Sequence, residues 1–157
     1  MVPGDGLSEL VEAVLAASRA LVGVAAESLA QVGEDVTLPQ YRALVVVAGR
    51  GPMTLMALAE AMGVNPSTAS RLCDRLVDGD RVRREPDEED RRQVRLTATP
   101  GGHDLVGAVT AARRDRLGRI LRQVPAPRRA ELLRALQAFN TAAGEVPEQT
   151  WAQASIL

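Results

Sequence analysis

Aromatic residues are nearly absent: one Trp, one Tyr and one Phe make up 2% of the 157 residues. An aromatic-lined catalytic pocket is therefore not expected. The 46% hydrophobic content has to pack through small and aliphatic side chains, which favours close-packed helices. Lysine is missing altogether. All 19 basic residues are arginines, whose planar donors suit phosphate and guanine. A single cysteine excludes an internal disulfide and fits a reducing cytoplasm. With one histidine, His103, and no cysteine cluster, neither a metal site nor a cofactor is expected. No G-x-S-x-G, P-loop or spaced His/Asp/Glu set marks an enzyme. The segment "MVPGDGLSEL" has no basic leader region, and no apolar run approaches the roughly 18 residues that span a bilayer. These features predict a soluble, cytoplasmic protein without a membrane partner. The net charge of −1 announces no polyanion, so any nucleic-acid surface must arise locally.

What the chain does contain is helical periodicity. Leu7, Leu10, Val11, Val14, Leu15, Leu21, Val22 and Leu29 predict one helix over 7–32, carrying two apolar stripes where a single neighbour needs one. "GEDVTLPQ" breaks it, and Pro39 suits the first turn of a second helix, "QYRALVVVAGRG". Thr54 caps a third, and "NPSTASRLCDRL" a fourth, with Asn65 as cap and Pro66 at the first helical position. Two short extended runs, 82–85 and 93–97, flank the loop "PDEEDRR" and predict a hairpin. Helices over about 101–124 and 127–143 follow.

Wound at 3.6 residues per turn, the fourth helix gathers Ala69, Leu72, Cys73 and Leu76 on one face. Ser67, Ser70, Arg71 and Asp74 lie opposite, with Thr68 and Arg75 at the edge. Two short helices joined by the tight link "GVN" form a helix-turn-helix, whose second helix enters a major groove. A helix in a groove about 12 Å wide needs short leading residues, and small hydroxyls satisfy that while reaching bases or phosphates. Hydroxyls are also common near helix caps for purely local reasons. The hairpin that follows makes a winged helix, with Arg91 and Arg92 at or beside its tip, suited to a narrow minor groove. Residues 65–95 carry eight arginines and eight acids, a net of zero. Acids that pair with arginines would preorganise the surface; acids facing DNA would oppose binding, and a solvated charge run is the plain alternative.

The stretch from "TLPQYRALVVV" to "LTATPGG" resembles the MarR family of bacterial winged-helix transcriptional regulators, most specifically in "STASRLCDRLV" and in "DRR" followed by "T-P-x-G". The resemblance covers roughly residues 37–106. It implies a mainly α fold with a small β-hairpin wing: a single domain over 1–157, a winged helix-turn-helix over 38–99, and dimerisation helices over 7–32 and 101–143. It assigns Ser67, Thr68, Ser70, Arg71 and Arg75 to the recognition surface. Asp90 is assigned as the acid bracing the wing arginine Arg92, with Arg91 close by. The implied partners are double-stranded DNA at a pseudo-palindromic operator, a second copy of the chain, and a small aromatic or lipophilic effector near Tyr41. Repression is the implied outcome. Tyr41 also reads as a packing residue, and a winged helix used only for protein contacts stays open on the balanced charge. Peroxide-sensing relatives carry their thiol near the start of the first helix, where this chain has none, so Cys73 reads as core. The family usually has Leu-Thr after the wing; Ala98-Thr99 here predicts a loosely ended second strand.

Overall fold

The computed structural model describes residues 6–32, 35–87 and 94–144. The chain runs α1 (Gly6–Val32), α2 (Leu38–Arg50), β1 (Met53–Thr54), α3 (Leu55–Met62), α4 (Pro66–Asp78), β2 (Val82–Pro86), β3 (Val94–Ala98), α5 (Pro100–Gln123) and α6 (Ala126–Ala142). The local signals for these boundaries are side-chain caps. Thr37 and Gln40 form a reciprocal capping box at α2. Thr54 Oγ1 accepts the Ala57 amide at 3.2 Å, and Asn65 Oδ1 accepts the Thr68 amide at 2.8 Å. Gly63, at φ 66°, adopts the left-handed conformation that ends α3 and lets α4 start three residues later.

The core is aliphatic, as the composition requires. Leu44, Val47, Leu58, Leu76, Leu96 and Val109 are almost fully buried and draw α2, α3, α4, β3 and α5 together. α1 packs along α5, where Glu27 and Arg116 form an ion pair at 3.0 Å. α6 buries none of its side chains.

One expectation is extended and another corrected. The hairpin is part of a three-stranded antiparallel sheet in the order β1-β3-β2, because Met53 and Thr54 pair with Leu96 and Arg95. A two-residue strand has no period to betray it. The end of β3 is also firmly tied. Val82 pairs with Ala98, the Thr99 amide donates to the Arg81 carbonyl at 3.0 Å, and the Thr99 hydroxyl donates to the Asp80 carbonyl at 2.7 Å. The same hydroxyl accepts the Gly102 amide at 3.0 Å, capping α5. Gly102 lies so close to the Arg81 carbonyl that a Cβ would sit 2.2 Å from its oxygen, so the last glycine of "T-P-x-G" permits the contact between α5 and the base of the hairpin.

The bilayer expectation also needs qualifying. By length and composition α1 is long and apolar enough to cross a membrane, although Glu9, Glu12, Arg19 and Glu27 interrupt its apolar residues. Helices that pack inside proteins pass the same test.

Candidate nucleic-acid interface

The helix α4 is held by its apolar face and presents the other. Ala69, Cys73 and Leu76 are buried, and Leu72 is half-buried against the core. On the outward side Ser67, Arg71 and Arg75 are exposed, while Thr68 and Ser70 are half-buried. The sequence-predicted recognition residues therefore converge on one surface. Asn65 organises its leading edge: its Oδ1 accepts both the Thr68 amide and the Ser67 hydroxyl, each at 2.8 Å. Ser67 is thereby held short and close to the helix axis. No bulky side chain leads the approach.

Asp74 shares this face with Arg71 and would by itself repel a phosphate backbone. It does not stand by itself. Arg84 reaches across from β2 to Asp74 at 2.7 Å, tying α4 to the wing. Sequence reasoning missed this link, because the two residues meet only once the hairpin folds back over α4. On the wing, Arg83 pairs with Glu85 at 2.8 Å. Asp87, the first acid of the loop, is turned inward, only 5% exposed, and bonded to Arg95. Each of these acids is thus matched to an arginine, as the preorganised arrangement requires. Asp90, Arg91 and Arg92 lie outside the described residues.

Between the start of α2 and α4 lies an apolar-floored cavity of about 670 Å³, bordered by Leu38, Met62, Leu72 and the arginines Arg42, Arg71 and Arg75. Tyr41 does not line it. Tyr41 is 5% exposed and belongs to the same core cluster as Ala43 and Leu44 of α2. Cys73 is fully buried, and burial pushes its thiol from 9.0 up to about 11, with Arg84 offsetting part of the shift. His103 is exposed in the first turn of α5. Among the described residues no group of acids, histidines and cysteine is placed to hold a metal ion.

Comparison with known proteins places this arrangement in context. A sequence model described as the MarR family matches residues 34–93. The crystal structure of RV1404 from Mycobacterium tuberculosis is 40% identical, superimposes with a TM-score of 0.83, and matches over 91% of this chain and 97% of that one. An uncharacterized HTH-type transcriptional regulator of Mycobacterium leprae, ML2140, is 39% identical over 80 residues, 51% of this chain. The chain spans just over half the length of that relative, 56%. A mutant MarR from E. coli, solved in complex with operator DNA, shares the fold at 21% identity, with a TM-score of 0.65 over 88% of this chain and 99% of that one.

Proposed function

This chain belongs to the MarR family, and we propose that it is a sequence-specific DNA-binding regulator of transcription, not an enzyme, acting as a cytoplasmic homodimer on a pseudo-palindromic operator. The observation that carries the proposal is the outward face of α4. Short hydroxyls at Ser67, Thr68 and Ser70 lead it, Arg71 and Arg75 follow, and Asp74, the acid nearest its middle, is paired with Arg84. Such a face fits a major groove, with Arg71 in position to meet guanine O6 and N7 and Arg75 a phosphate. The wing continues the surface towards the flanking minor groove, where Arg92, braced by Asp90, and Arg91 are assigned to the contact. Repression follows if the operator overlaps a promoter. The structure of a MarR on operator DNA from E. coli supports the docking mode by its shared fold.

Release by a small aromatic or lipophilic effector belongs to the same reading. The effector cannot meet the Tyr41 ring directly, because that ring is in the core. It would have to loosen the packing between α2 and its neighbours.

Duplexes selected by the purified protein from a random pool should share an inverted repeat with half-sites about one helical turn apart. Binding to them should fall steeply between about 50 and 200 mM salt. A winged helix used only for protein contacts, the reading favoured by the zero net charge of residues 65–95, would enrich no motif and show no salt-dependent binding.

A further inference from the structure

Five arginine–acid ion pairs occur among the described residues, but Arg42, Arg71 and Arg75 take part in none of them. These three border one cavity, and the side chains around it include no acid. Arg71 and Arg75 come from α4 and are accounted for by the groove-facing surface. Arg42 comes from the second turn of α2, is exposed, and has no part in the core. The three guanidinium groups around this cavity form a local concentration of positive charge with no acid in its lining, beside the helix that faces DNA.

We infer that Arg42 is a DNA-backbone contact, binding the phosphate that passes over the α2–α4 cavity and fixing the register in which α4 enters the groove. This rests on the DNA-binding reading of α4. A guanidinium carried on α2, outside the groove-facing helix, meets phosphate and not base edges, so it adds affinity without sequence preference. The apolar floor formed by Leu38, Met62 and Leu72, like the rest of the lining, offers no competing carboxylate to the guanidinium. Arg42 and Arg75 would then flank the strand from two different helices, so that the tilt of α4 is set from outside the helix-turn-helix itself.

The test compares Arg42→Ala, Arg42→Lys and Arg71→Ala on a duplex selected by the wild-type protein, at several salt concentrations. Arg42→Ala should weaken binding by the same factor for the selected duplex and for single-base variants of it. It should make the slope of log affinity against log salt shallower by about 1 per protomer. Arg42→Lys should restore the slope. Arg71→Ala should instead relax preference at one base position. Arg50→Ala, at the far end of α2 and also exposed, removes the same charge about 12 Å along the helix and should leave the slope unchanged. An unchanged slope in Arg42→Ala, a base-specific loss, or an equal effect of Arg50→Ala would overturn the inference. Absence of salt-dependent binding by the wild-type protein would overturn the DNA reading itself.

Discussion

Cys73 sits where its thiol is least able to react. It is fully buried on the inner face of α4, and burial keeps it protonated up to about pH 11. The helical period alone had placed it with Ala69 and Leu76, so its core role was legible from the sequence. Replacing it with serine introduces a hydroxyl that needs a partner in an apolar setting. Cys73→Ser should lower stability by about 1–2 kcal/mol in denaturant melts while DNA binding by the wild-type protein stays indifferent to peroxide. Peroxide-triggered release that the serine variant lacks would instead reveal a sensor. The raised pKa also gives a pH signature. The folded state holds a proton that the unfolded thiol loses above its ordinary 9.0, so this contribution to stability is complete below pH 9 and declines as pH rises towards 11. Cys73→Ala should lack that decline. Tyr41 shows the opposite case. Its position in the second helix left a ligand-facing ring and a packing ring both open, and the burial of Tyr41 in the core favours the second.

Elements were legible wherever a local signal fixed them. Thr54, Asn65 and Thr99 each cap a helix with their own side chains, so α3, α4 and α5 begin where short-range chemistry dictates. β1 was not legible, because Met53 and Thr54 become a strand only by pairing with residues about forty positions away. The same non-locality hid the tie between α4 and β2. The Asp74–Arg84 pair is half-exposed, with side-chain exposures of 50% and 38%, so it adds at most a few tenths of a kcal/mol to stability once screened by solvent. Its larger effect should be on the angle between recognition helix and wing. If it only adjusts charge, Asp74→Ala should tighten DNA binding, Arg84→Ala should weaken it, and the double variant should equal the sum. If the pair positions the wing, Asp74→Ala should fail to tighten binding despite removing a negative charge. The double variant should then lose no more than the worse single, a coupling of about 1 kcal/mol in affinity. Additive singles would rule out the positioning role.

At the scale of the whole molecule, the described chain leaves large apolar residues in the open. Leu7, Leu10, Val11, Leu15, Leu21 and Val22 of α1, Ile120 and Leu121 of α5, and Leu133, Leu136 and Phe139 of α6 are all exposed. The two-striped pattern over 7–32 anticipated this in part: Val24, Ser28 and Leu29, near the end of α1, are its buried residues, and most of the helix faces outward. α6 falls within the region over 101–143 expected to face a partner, and none of its side chains is buried. Exposed apolar surface on this scale marks an association site. A second copy covering it through isologous contacts would also set two α4 helices at a fixed spacing, which a palindromic half-site repeat requires. Leu136→Asp with Phe139→Asp should separate the subunits without unfolding the winged helix, because neither side chain touches the core that draws α2 to α5 together. Sedimentation at micromolar concentration should shift from dimer to monomer while circular dichroism keeps the helical signal. Affinity for the selected duplex should fall by roughly a hundredfold or more, as the second half-site loses its tethered reader. If the variant stays dimeric, α6 is not part of the interface; if the wild-type protein sediments as a monomer, the apolar faces of α1 and α5 serve some other partner.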